Sequence, residues 1–349
     1  MNIRDWSSDV CSSDLPLETL FVLDEPSDPA YPVLREVVAA GDAAARIVFA
    51  GRPPAGRTGK LHAMIRGLEA ARLEAPLVCF ADSDTRPGPT LLRDLAATVV
   101  ARDDVGAAFA PVVSASPPTR AGDVGYGLLL DGLYGTQAAL AMARRASLPF
   151  LMAQTAVLRA SALRAIGGLN ATAGELVDDM HIGARLDAAG WRNVLVPHPR
   201  PVVQQGLSWT ELLDVATRWL IYSRTGIPFW PFNAPSLLWV AVFFAGLAGL
   251  GVALASGAFG LAAGFALVAV AVPASLQRLR RLQGAAPVPA RLWWALPGSF
   301  AILPGLYLRS WPAPSVVWRG GDYLPDHDGR LAEAPRGLGD EARLPIGDR

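Results

Sequence analysis

Between residues 225 and 277 the chain carries no Asp, Glu, Lys, Arg or His. A membrane-crossing helix needs about 20 apolar residues. The stretch therefore has room for two, expected at 235–255 and 258–276, with a turn at Ser256-Gly257. A buried pair of core helices is the alternative, but helices of water-soluble domains rarely stay uncharged on every face. Composition points the same way. Charged residues make up 18% of the chain, against about 25% in an ordinary soluble domain. Formal net charge is zero, which argues against an electrostatic nucleic-acid surface. Cys11 and Cys79 offer neither a zinc spacing nor a disulfide framework.

Arginines flank the uncharged block. Arg218 and Arg224 precede it, and Arg278, Arg280, Arg281 and Arg291 follow it. A helical hairpin puts both groups on one side, and positive flanks favour the cytoplasm. A third apolar run, 292–308, contains Pro297 and Pro304 and lies between Arg291 and Arg309. It is short for a crossing and expected to be broken as a helix, so it should re-enter or lie at the interface. The tail after Gly329 is polar and expected to be loose.

Residues 1–15 have no apolar core of a signal peptide and no periodicity. The string resembles translated sequencing adapter, and is expected to be foreign to the protein. From residue 17 to 224 the chain reads as alternating strands and helices: strands at 20–23, 46–49 and 77–81, helices at 33–40, 61–72 and 89–100. The order βαβα implies an α/β fold with a mainly parallel sheet covered by helices on both faces. Ligands in such sheets sit at the carboxyl ends of the strands, where Asp24 and Asp82 stand.

Asp82-Ser83-Asp84 follows directly on the apolar run 77–81, expected to be a buried strand. Two carboxylates so spaced can share a hard cation and leave positions for phosphate oxygens, although solvated turns also produce the triplet. Asp178-Asp179 stands before a helical stretch expected at 180–189. One aspartate can cap that helix, and the second is then left for substrate or for general-base work. Lys60 is the only lysine among 31 basic residues. It closes a Gly-containing loop that is not a P-loop, because Leu61 stands where Ser or Thr is required. Arg218-Trp219 reads either as an interfacial anchor or as part of a site. His62, His181 and His198 are too scattered for a metal site.

In this order the motifs resemble those of membrane-bound, inverting glycosyltransferases of the GT-A fold, in the ceramide glucosyltransferase-like branch that includes hopanoid-biosynthesis relatives. The carriers are Phe21-Val-Leu-Asp24, Gly59-Lys60-Leu-His, Asp82-Ser-Asp84, Gly167-Gly168-Leu, Val177-Asp178-Asp179, Arg218-Trp219 and Trp318-Arg-Gly-Gly-Asp-Tyr323. The resemblance implies a UDP-sugar donor contacted by Asp24 and Lys60. It implies a divalent metal, Mg or Mn, held on the diphosphate by Asp82 and Asp84. Asp179 would be the base, and Asp178, Arg218 and Trp219 would line the acceptor and diphosphate side. The acceptor would be a lipid hydroxyl, and the protein a bacterial inner-membrane enzyme.

The resemblance also implies an N-terminally truncated GT-A catalytic domain over 16–224, membrane segments over 225–310 and a tail over 311–349. The family's opening membrane helix and first strand would precede Pro16. Val215 departs from the family, which places Gln, Arg or His three residues before Arg-Trp. That weakens a processive polysaccharide synthase relative to a single transfer. A non-catalytic membrane protein that keeps the fold is the remaining alternative.

Overall fold

The computed structural model describes residues 17–41, 44–72, 74–86, 88–152, 154–226, 229–310, 316–318, 321–325 and 330–332. Residues 1–15 lie outside this set. The chain opens with β1 (Glu18–Leu23), α1 (Tyr31–Ala40) and β2 (Ala44–Phe49), the two strands pairing in parallel. Then come α2 (Gly59–Ala70), β3 (Leu77–Ala81), α3 (Leu91–Val100), β4 (Val105–Phe109) and β5 (Val112–Ser114). Helix α4 (Ala121–Gly127) runs into a π-helical stretch, Leu128–Gly135, and on into α5 (Thr136–Arg144). Strand β6 (Thr155–Arg159), α6 (Ala160–Ala165), α7 (Asp178–Ala188), β7 (Arg192–Leu195) and β8 (Arg200–Val202) complete the α/β part.

The central sheet has the order β3-β6-β4-β7. Strand β6 runs antiparallel to both its neighbours, whereas β4–β7 and the separate pair β5–β8 are parallel. The sheet is therefore mixed rather than simply βαβ-wound: β5 and the continuous helical run from α4 through the π-helical stretch to α5 lie between β4 and β6, and the chain re-enters the sheet in the opposite sense. The two faces of the sheet are covered separately. Ala156 and Leu158 of β6 pack with Leu61 and Ile65 of α2. Val157, pointing the other way, packs with Leu91, Leu95 and Val99 of α3. This alternation is the period-2 signature of a strand between two helix layers.

Helix α2 starts where it does because Thr58 accepts a hydrogen bond from the Leu61 amide at 3.3 Å, an N-cap that satisfies one of the helix's free donors. Strand β3 departs from the expected burial. Cys79 and Ala81 are exposed and the rest of the strand is half-buried, since one of its edges has no partner strand among the described residues.

Helix α8 (Trp209–Gly226) leads to the hairpin of α9 (Phe229–Ala255) and α10 (Phe259–Leu282), close to the expected spans. Asn233–Ala255 and Phe259–Leu282 are long and apolar enough to cross a membrane. Only 22% and 28% of their apolar windows are buried in protein. Leu238, Val252, Leu261, Leu267 and Val270 stand exposed along them, which suits lipid and not water.

The run expected to be broken is an unbroken helix, α11 (Ala295–Ser310), with Pro304 inside it and Pro297 in its first turn. Proline is tolerated in a first turn because the amide there has no partner to lose. At 1.5 Å per residue its 16 residues reach about 24 Å, short of a hydrocarbon core of about 30 Å. Trp294, just before α11, packs on Trp209 with ring centroids 6.0 Å apart, and Arg309 near its end pairs with Asp214 at 2.8 Å. Both ends thus return to α8.

Strands β9 (Val316–Trp318), β10 (Gly321–Pro325) and β11 (Leu331–Ala332) form a small antiparallel sheet. Of the tail expected to be loose after Gly329, residues 330–332 belong to this sheet region and the remainder lies outside the described residues. Arg330 bridges to Glu175 beside the start of α7.

Candidate active site

Strand β3 delivers Asp82 to its carboxyl end. The Asp82 carbonyl accepts from the Thr85 hydroxyl at 2.7 Å, and Val203 and Arg86 tie the turn to β8 through backbone hydrogen bonds. Across from it, the second residue of α2 is Lys60, whose Nζ lies 3.0 Å from Asp82 Oδ1. Burial works against the Lys60 charge, but Asp178, Asp82 and Asp179 around it hold its pKa above the ordinary lysine value. The Asp84 carboxyl is shifted upward by burial and by the like charge of Asp82, partly offset by Arg200 and Lys60.

Asp178 and Asp179 are the first two residues of α7. The N-cap position is Val177, so neither aspartate caps the helix. Their place in the first turn suits the positive end of the helix dipole. Gly183 lets α7 lie against the backbone of Phe150 and Leu151, where a Cβ would overlap. Asn193 fastens the contact by donating to the carbonyls of Gly183 and Leu148, each at 2.8 Å. Asp178 is buried, with Oδ2 lacking a hydrogen-bond partner. Burial pushes its pKa up to about 6; Lys60 pulls it down, and Asp179 and Asp82 push it further up. Asp179 is half-buried, and its Oδ1 accepts from the Met180 amide at 2.9 Å.

Lys60, Asp82, Asp84, Asp178, Asp179, Arg218 and Trp219 all line one cleft of about 1560 Å³. Seven of the eight residues expected in the site are thereby brought together. Asp24, the eighth, lies exposed at the end of β1 and is not among the lining residues. Val215, Arg218, Trp219 and Tyr222 share one face of α8 and form a wall of the cleft. Trp219 packs against Tyr126 and Tyr134 with ring centroids 5.2 and 6.2 Å apart.

Sequence reasoning missed those tyrosines, and it missed Arg200. The Arg200 side chain is fully buried and donates through Nη2 to Gln154 Oε1 at 3.0 Å, while Nε and Nη1 have no hydrogen-bond partner. Burial lowers its pKa to about 10 against the opposing pull of Asp84 and Asp82. The residue signal was weak: an arginine in a Pro-His-Pro-Arg-Pro string reads as loop.

Among the described residues no group of three or more His, Cys, Asp or Glu is placed to hold a metal. Asp82 and Asp84 nevertheless fit a hard cation in part. They are oxygen donors at one strand end, with the Asp82 charge raising the Asp84 pKa, and a diphosphate would supply the further oxygens such ions require.

A mixed sheet between helix layers, with its cleft at the strand ends, is the architecture of a GT-A glycosyltransferase. The model of Glycosyl transferase family 21 matches residues 10–331, and the chain belongs to that family. No curated protein matches the chain.

Proposed function

We propose that this glycosyltransferase moves one sugar from a UDP-sugar to the hydroxyl of a ceramide- or hopanoid-like lipid, with inversion and with the help of a divalent metal. One observation carries the reading. The Lys60–Asp82–Asp84 cluster and the Asp178–Asp179 pair face a single cleft, and Tyr126 in its wall belongs to the apolar cluster that contains Phe243 of α9 and Leu276 of α10. A donor and a bilayer-held acceptor can meet there without the lipid leaving the membrane.

Asp82 and Asp84 would hold the metal, which would neutralise charge on the departing diphosphate. Lys60 adds a second positive charge at the same edge. Asp179 is the base. It is the more accessible of the pair, and a base must come within hydrogen-bond reach of the hydroxyl proton. As the acceptor oxygen bonds to the anomeric carbon, the bond to the diphosphate breaks, UDP departs and the proton passes to Asp179. One displacement with no protein nucleophile inverts the anomeric centre. Asp178 lies behind, beside Lys60, and Arg218 and Trp219 face the acceptor. Asp24, exposed at the end of β1, would contact the uridine.

The catalytic domain lies on the cytoplasmic side of a bacterial inner membrane. The positive flanks of the hairpin favour this, and α11, anchored to α8 at both ends, stays on that side.

Expression of the enzyme in a bacterial host, followed by mass spectrometry of the lipids, identifies sugar and acceptor together. Asp179→Asn should retain UDP-sugar binding and reduce turnover about 10²–10⁴-fold, whereas Asp84→Asn should weaken metal-dependent donor binding itself. Wild-type turnover in Asp179→Asn with a dead Asp178→Asn would move the base to Asp178. Full activity in both would remove the mechanism.

A further inference from the structure

Charge is unevenly spread along the chain. Between Asp214 and Asp322 there is no Asp or Glu, yet there are eight arginines. The whole chain has a formal net charge of zero, so the rest of it carries the balancing negative excess. Three of these arginines have tasks within the protein. Arg218 lines the cleft, Arg280 is held by Asp131, and Arg309 is held by Asp214. Arg278, Arg281 and Arg291 differ. All three are exposed, and none makes an ion pair among the described residues. Arg291 reaches only the Thr119 carbonyl, at 3.5 Å.

The helix period explains the sorting. At about 100° per residue, Arg278, Arg281 and Leu282 share one face of α10, and Arg280 turns the other way, to Asp131. Leu282 is 75% exposed. Past it, Gly284 at φ +91° turns the chain, and the Ala286 amide bonds to the Ser114 carbonyl at 3.2 Å. The segment thus runs along the α/β part, where α10 ends, and arrives at the exposed Trp293 and Trp294. The Trp293 indole N–H is already bonded to the Val288 carbonyl at 3.0 Å, so the ring it leaves outside is apolar. Helix length sets the height of this face. From Phe259 to Arg278, α10 rises about 29 Å, close to a hydrocarbon core of about 30 Å. With Phe259 at one boundary of that core, Arg278 stands at the other, level with lipid phosphates, a depth that tryptophan also favours.

We infer that Arg278, Arg281 and Arg291, with Leu282, Trp293 and Trp294, form a docking surface for phospholipids whose headgroup carries a net negative charge. The guanidinium fork matches phosphate oxygens, and the leucine and the two indoles supply apolar contact beneath the phosphates. A zwitterionic headgroup offers the same phosphate but cancels its charge with its own cation. Three cations with no carboxylate among them therefore select the anionic lipid. The inference concerns the bilayer beside the helices and stands apart from the donor, metal and acceptor proposed above.

The test reconstitutes the full chain in vesicles of dioleoylphosphatidylcholine that contain either phosphatidylglycerol with brominated acyl chains or brominated phosphatidylcholine at the same fraction. Bromine quenches tryptophan only at close range, so quenching reports which lipid sits against the protein. The share of it lost in Trp293→Phe/Trp294→Phe belongs to this face. Neither donor nor acceptor is needed. At low salt, phosphatidylglycerol should be preferred there by about fivefold, the worth of roughly one arginine at an anionic surface. The preference should shrink at about 1 M salt, where screening acts within about 3 Å. Arg278→Gln/Arg281→Gln/Arg291→Gln should abolish it and leave Tm unchanged, as expected of exposed, unpaired side chains. Arg35→Gln/Arg52→Gln/Arg93→Gln, which removes as many exposed arginines elsewhere, should keep it. The inference is overturned by equal quenching from the two lipids in the unaltered protein, by a preference that survives the first triple substitution, or by an equal loss in the second. Absence of quenching by either lipid would overturn it as well, by taking the hairpin out of the bilayer.

Discussion

Replacing Asp178 by Asn should stabilise the protein above pH 6 and leave it nearly unchanged below pH 4. The Asp178 carboxyl is buried, and its pKa is raised from an ordinary 3.8 to about 6. Between those values the native state holds a proton that the unfolded chain has released. Native-state proton binding in excess of the unfolded state's means that stability falls as pH rises through this window. Once both states are ionised, the penalty is about 3 kcal/mol. Asn keeps the shape and carries no charge to desolvate, while Lys60 keeps Asp82 at 3.0 Å. For a domain of 150–250 residues, about 3 kcal/mol corresponds to a rise of roughly 6–12 °C in Tm. The assay is thermal unfolding in detergent, followed by tryptophan fluorescence at pH 4, 5, 6 and 8 for both proteins. The gap should open between pH 4 and 6 and stay constant above. A gap independent of pH, or a less stable Asn protein at pH 8, would refute the reasoning, and Asp178 would then be a stabilising ion-pair partner of Lys60.

Lys60→Gln should weaken UDP-sugar binding by about 10–100-fold, the worth of a charge-assisted hydrogen bond, read by calorimetry with UDP. Arg280→Met should destabilise the protein by about 3–5 kcal/mol, because it strands the Asp131 carboxylate at 0% exposure; unfolding in detergent reports it. Gly183→Ala should cost at least about 2 kcal/mol and also lower turnover, since a Cβ there pushes α7, which carries Asp178 and Asp179, off the Phe150–Leu151 backbone. Tm and turnover measured on the same preparation separate the two effects.

What the sequence made legible was whatever repeats with the period of a helix or strand, or ends one. The run 77–81 followed by Asp82, the helical stripe through Leu61 and Ile65, and the uncharged block each came out within two residues or a few. The burial of β3 did not, because periodicity reports what a strand is built to face and not whether that neighbour is present. The helix at α11 was masked by Pro297, whose place in a first turn is visible only once the helix start is known. Val215, Arg218, Trp219 and Tyr222 stand at helical spacing, so the α8 wall is legible in the sequence beyond the Arg-Trp pair alone. Tyr126, Tyr134 and Arg200 were out of reach. Tyr126 at the end of α4 and Tyr134 in the π-helical stretch line the cleft, while Arg200, in a three-residue strand, lies buried near Asp82 and Asp84; these segments are far apart in sequence and leave no pattern of their own.

That π-helical stretch ties the site to the hairpin. It lies between Tyr126 and α5 and carries Tyr134, both of which pack on Trp219. In its middle, Asp131 accepts from the Ser114 amide and from the guanidinium of Arg280, which reaches across from the end of α10. Gln283 adds a bond to the Asp131 carbonyl at 2.9 Å. Gly127 makes this possible, since a Cβ there would overlap the Arg280 guanidinium. A buried ion pair contributes little net stability, but it fixes one geometry strongly because either partner alone is penalised. Here the geometry it fixes is the angle between the hairpin and the aromatic wall of the cleft. A rigid joint at that point holds the cleft at one height relative to α9 and α10. The proposed function calls for such a joint, because a lipid acceptor would present its hydroxyl at a set depth and not from solution.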